Sequence, residues 1–265
     1  MIIPLAFIAG YVRGIPFKNP TTMPFTFSHP AIILPANRLS GELFSMTGLV
    51  IGSMTPDFEY FIRMNLGSIF SHTLHGLFYF DLPIGLTLCF IFHDLVRNDL
   101  INSMPTGLYE RFYALKNFDW NTYYRKKWPV VLLSIVIGAV SHILWDSFTH
   151  PCGYFVLKLP ILQNRIHFAG FTITIYNFLQ QISSVIGLVV VFFFIYRMPK
   201  TKTGMNHIKS PYRIYIICIV SAIMVLRFIF GLSITQYGNV IASLMSAFFI
   251  SIIITPVILR TQSNL

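Results

Sequence analysis

The chain has 265 residues, 55% of them hydrophobic and only 11% charged, with a formal net charge of +10 and a mean hydropathy of +0.67. A soluble domain carries about 25% charged residues, so a soluble fold is excluded and an integral membrane protein is indicated. Lys and Arg gather in a few loops rather than on one face, a pattern that reports membrane topology; no nucleic-acid partner is expected. The cysteines are Cys89, Cys152 and Cys218. Their odd number and the absence of a CxxC pair argue against a disulfide framework and against thiolate metal ligation.

In chain order, the first feature is "MIIPLAFIAGYVRG", a poor signal peptide because no basic residue precedes its short apolar run. Residues 1–22 are read as an N-terminal extension that translation from Met23 would omit. The segment 41–54, "GELFSMTGLVIGSM", is too short for a span and is expected to be an embedded or re-entrant helix. Apolar segments at 74–93, 129–149, 180–196, 212–234 and 238–259 approach or exceed the span length, which is about 20 residues. The predicted fold is therefore all-α, a polytopic helical bundle with about five transmembrane helices and one short embedded helix. Residues 23–196 form the core and 197–265 a basic loop with two further spans.

The basic residues divide the loops. Residues 94–128 carry Arg97, Arg111, Lys116, Arg125, Lys126 and Lys127, and 197–213 carry Arg197, Lys200, Lys202, Lys209 and Arg213. Arg260 lies in the tail. Alternating spans put all three regions on one side, the cytoplasmic side by the positive-inside rule. The C-terminus is then cytoplasmic. The start of 74–93 and the end of 129–149 face outward, carrying His72 and His75 at one and Asp146 and His150 at the other.

The chemistry concentrates in "SHILWDSFTHP", residues 141–151. His142 and Asp146 are four apart and share a helix face. His150 precedes Pro151, which biases it out of the helix. Ser141 and Trp145 are read as packing or orienting neighbours. "FTFSHPAIILP" adds His29, "SMTPDFEYF" adds Asp57 and Glu59, and "SIFSHTLHGLF" adds His72 and His75. Asp57, His72, His142 and Asp146 make a mixed N/O set that suits zinc or another divalent first-row metal. Ionisable residues inside a membrane are rare, costly and functional by default. For Asp81 and Arg227, both within apolar runs, an ion pair is expected; for His93 and Asp94, helix-end capping in solvent.

The motifs "MPFTFSHPAIILP", "IGSMTPDFEYF", "SHTLHGLFYFDLPIG" and "GAVSHILWDSFTHPCG" together resemble an uncharacterised bacterial family of integral membrane proteins, domain of unknown function 4184, from Met23 to about residue 196. That family is in turn similar to membrane-bound metal-dependent hydrolases sharing a motif plan with zinc-dependent phospholipase C and P1-type nucleases. The resemblance implies that Asp57, His72, His142 and Asp146 bind one metal. It also implies that Asp146 bridges to a second metal using His29, and that His150 is the next ligand of the plan. No Asp or Glu follows Asp146, so a third metal is not expected and one or two ions, zinc in the first instance, are.

The expected function is that of a metal-dependent hydrolase in a bacterial inner membrane. Its site would open at the outer face, where a lipid or lipid-linked phosphoester is the natural substrate. Asp57 or Glu59 is the carboxylate expected to take a proton. The alternatives are a non-enzymatic scaffold or partner-binding protein in which the same groups form a structural knot, and a transporter with a His/Asp relay. Against transport stands the gathering of these residues at one end rather than across the bilayer.

Overall fold

A computed structural model describes residues 25–39, 42–168, 170–201 and 211–263; the expectation about residues 1–22 lies outside them. The described chain is helical apart from one antiparallel hairpin. The principal helices are α1 (Met46–Gly52), α2 (Leu74–Ser103), α3 (Trp120–Thr149), α4 (Ile175–Arg197), α5 (Tyr212–Ile229) and α6 (Tyr237–Ser263). The hairpin pairs β1 (Arg165–Phe168) with β2 (Phe171–Thr174), in register Arg165 to Thr174. Helices α2 to α6 are each long and apolar enough to cross a membrane. At 1.5 Å per residue, α1 reaches only about 10 Å and cannot, as the sequence indicated.

Proline positions explain the irregular turns. Pro83 lacks an N–H and crowds the carbonyl one turn back; the turn just before it, Leu77–Asp81, is wound as a π-helix. In α3 the backbone leaves helical geometry at Lys127, two residues before Pro129, where a kink is expected.

The chain packs as two compact units. Of the described residues, one comprises those up to Glu59, Gly67–Leu86 and those within Pro129–Phe194, the other Tyr60–Leu66, Thr87–Trp128 and those from Ile195 on. In the first, α1 lies against α3 because glycines let the backbones touch. A Cβ on Gly52 would overlap the Ile135 carbonyl, and one on Gly138 would overlap that of Leu49. The Gly48 and Ser134 positions continue the same seam. In α4, a Cβ on Gly187 would stand 2.8 Å from the Ser28 Cβ and carbonyl oxygen, so this helix rests on the 3-10 turn Thr26–Ile32.

In the second unit, Arg227 donates to the Met64 carbonyl at 3.0 Å and to Ser243 Oγ at 3.3 Å. Arg227, for which the sequence suggested a pair with Asp81, thus finds its partners within its own unit, and in the first unit neither Asp81 oxygen accepts a hydrogen bond among the described residues. His93 also departs from expectation. It is buried, stacked 4.5 Å from Trp120, and bonded to Arg97 at 2.9 Å; it is a packed core group rather than a solvated cap.

Candidate metal centre

The candidate site lies wholly within the first unit. Four stretches build it. The turn Thr26–Ile32 brings Thr26 and His29, three residues apart and therefore aligned on a 3-10 helix. The turn Thr55–Asp57, which follows α1, brings Asp57. The loop before α2 brings His72, and α3 brings His142 and Asp146 one turn apart. Asp57, His72, His142 and Asp146 are all no more than 1% exposed. One ligand atom from each lies within 4.8 Å of the other three, a group that can hold a metal ion.

The distances within the group have the scale of a coordination shell. His142 Nε2 is 3.2 Å from Asp146 Oδ2 and 3.5 Å from Asp57 Oδ1; His72 Nε2 is 3.4 Å and 3.8 Å from the same two oxygens. Four ligands at about 2.0–2.1 Å around a tetrahedral ion stand about 3.4 Å apart. None of Asp57 Oδ1, His142 Nε2 and the two Asp146 oxygens makes a hydrogen bond, although all are buried. Burying such carboxylates costs several kcal/mol each unless they are paired or ligate a metal. The donor set and its orphaned atoms therefore fit a dication.

Asp146 has a second face. Its Oδ1 is 3.8 Å from His29 Nε2 and 3.5 Å from His150 Nδ1. His29 stacks on His142 with ring centroids 3.8 Å apart. Burial, reinforced by neighbouring His142, pushes the His29 pKa down to about 3, so His29 is a neutral imidazole with a lone pair to offer. The six residues singled out in the sequence as ligands are thus gathered around one carboxylate. The contact of His29 with Asp146 also shows that 41–54 does not carry His29 and Asp57 to opposite sides.

Outer groups fix these side chains. His142 Nδ1–H donates to the Ser53 carbonyl at 2.7 Å, which leaves Nε2 as the nitrogen able to accept a metal. Ser53 is delivered there by the glycine seam between α1 and α3. Thr26 Oγ1 donates a short hydrogen bond to Asp57 Oδ2, turning Oδ1 toward the histidines. Burial alone would raise the Asp57 pKa, but the neighbouring His142 more than offsets this and holds it below the usual value.

His72 adopts φ 62°, a left-handed conformation unusual for a non-glycine residue and frequent at functional sites. The loop before it is pinned by Glu59, whose Oε1 accepts from Ile69 N at 2.7 Å and whose Oε2 accepts from Phe70 N at 3.0 Å and Ser71 N at 2.8 Å. Burial would raise the Glu59 pKa, yet the Ser71, Ile69 and Phe70 amides together hold it below its ordinary value. Sequence reasoning missed Thr26, Ser53 and Ser71, which bonds His72 Nδ1 at 3.0 Å. Only the Thr26–His29 spacing carried a signal. Three other residues stand apart from the group: His75 is exposed, Ser141 bonds the Gly138 carbonyl, and Trp145 donates to Ser183 of α4.

No curated protein and no solved structure matches the chain. A family model, described as domain of unknown function (DUF4184), matches residues 23–258, past the point near residue 196 where the motif resemblance ends and through α5 into α6, and the chain belongs to that family.

Proposed function

We propose that this protein is a membrane-embedded metal-dependent hydrolase acting on a lipid or lipid-linked phosphoester at the outer face of the membrane. The observation that carries the reading is the buried group of Asp57, His72, His142 and Asp146, whose ligand atoms lie at coordination-shell spacing. Two imidazoles and two carboxylates suit zinc. Asp146, with Oδ1 toward His29 and His150 and Oδ2 toward His72 and His142, favours room for a second ion. A divalent ion bound there supplies a Lewis acid and lowers the pKa of coordinated water toward neutrality.

The protein's own residues do the rest. Thr26 and Ser53 orient Asp57 and His142, and the enclosing apolar helices strengthen every charge interaction at the site. Asp57 is the carboxylate placed to share a proton with a group bound among the histidines. Glu59, with three amides on its oxygens, holds the His72 loop. The orientation proposed is that of a bacterial inner membrane with basic loops and C-terminus in the cytoplasm, which leaves a bilayer lipid as the substrate at hand.

The test is metal analysis and hydrolysis by the purified protein in detergent. Zinc content should fall to background in His142→Ala and Asp146→Ala, together with cleavage of phosphoester lipids. Unchanged metal content in both variants overturns the proposal. Loss of stability without loss of metal would instead support a structural polar knot.

A further inference from the structure

Besides Asp57, Glu59 and Asp146, the first unit buries one further acidic residue, Asp81. It is 0% exposed, and neither oxygen accepts a hydrogen bond. It ends the π-helical turn Leu77–Asp81 of α2, a winding that recurs at functional sites. Four residues on, a Cβ at Gly85 would stand 2.7 Å from Ile135 Cγ2 and 3.2 Å from Thr55 Cγ2. This face of α2 therefore packs on the turn that carries Asp57 and on the helix that carries His142. The charges that act on Asp81 are those of His72, His142, Glu59 and Asp57.

We infer that Asp81 is a proton-holding carboxyl coupled to metal entry: a neutral acid when the centre is empty, a carboxylate when a dication occupies it. The inference rests on the metal reading above. Asp57 and Asp146 have the ring nitrogens of His72 and His142 at 3.2–3.8 Å, whereas among the described residues neither Asp81 oxygen has a hydrogen-bond donor, and a buried carboxylate without one is too costly to persist. A dication among the four ligands reverses that balance. The Asp81 O–H bond breaks, the proton passes to solvent, and the electron pair stays on the carboxylate. The protein thereby gains one negative charge as the dication enters, and metal affinity becomes steeper in pH by one proton.

The experiment uses the full chain in nanodiscs, titrated with zinc. Infrared difference spectra on zinc addition should show a carboxylic-acid carbonyl band vanishing in wild type and missing from Asp81→Asn. Calorimetry in buffers of different ionisation heat should count one more proton released by wild type than by Asp81→Asn. Zinc affinity of that variant should fall about tenfold or more, in the range of outer-shell partners. Zinc bound with no change in the acid band in wild type overturns the Asp81 inference alone, whether or not the variant folds. Equal proton counts do the same. Failure of wild type to bind zinc overturns the metal reading with it.

Discussion

Replacing Glu59 by Gln separates a loop anchor from a proton acceptor. Both carboxylate oxygens are in use: Oε1 holds the Ile69 amide, and Oε2 holds those of Phe70 and Ser71. Glutamine keeps one oxygen and presents an NH2 where the other stood, so either the part-buried Ile69 amide or the part-buried Phe70 and buried Ser71 amides lose their acceptor. Each costs about 1–3 kcal/mol, giving a destabilisation of about 2–4 kcal/mol. The loop so released leads directly into His72, whose φ of 62° needs enforcement. Zinc affinity should therefore drop by about 10–100-fold, the range for outer-shell partners. Denaturant unfolding in detergent and competition with a metallochromic chelator give the two numbers. Full stability and full zinc affinity with loss of turnover would refute the anchoring argument and make Glu59 a proton acceptor.

Other substitutions probe the same architecture. Gly52→Ala should destabilise by about 1–3 kcal/mol, because the new methyl overlaps the Ile135 carbonyl; it should also weaken zinc binding by displacing Ser53 from His142, which unfolding and zinc titration will read. Thr26→Val removes the donor to Asp57 Oδ2 and should lower zinc affinity about tenfold with little change in helicity by circular dichroism. Gly187→Leu pushes on Ser28 and so on His29 beside it. If two ions bind, metal analysis should show the second lost and the first kept.

Much of this was legible in the sequence. The span count follows from hydropathy alone, since lipid demands continuous apolar helices. The His142–Asp146 pair is legible because four residues make about one turn. Asp57 and His72 joined that pair as a mixed N/O donor set, and His150 lies on the same stretch as Asp146; the roles of His29 and His150 as ligands required the motif resemblance. The outer groups were illegible for a different reason. Ser53 acts through its backbone carbonyl, which no side-chain pattern encodes. Glu59 looked like chemistry because a carboxylate near ligands can move protons or hold amides, and only the loop geometry distinguishes the two. Asp81 and Arg227 looked like a pair because each is costly alone in a membrane. Arg227 finds the Met64 carbonyl, left over beyond a short helix, and among the described residues neither Asp81 oxygen accepts a hydrogen bond.

Asp57, His72, His142 and Asp146 are proposed to form one metal shell. X-ray absorption at the zinc edge, on the protein purified in detergent with one equivalent of zinc, tests it most directly. The spectrum should show a first shell of two imidazole nitrogens and two carboxylate oxygens at about 2.0–2.2 Å with no sulfur at about 2.3 Å, and a loss of imidazole scattering in His142→Ala. A sulfur shell, a spectrum indistinguishable from aqueous zinc, or one unaltered in His142→Ala would contradict it.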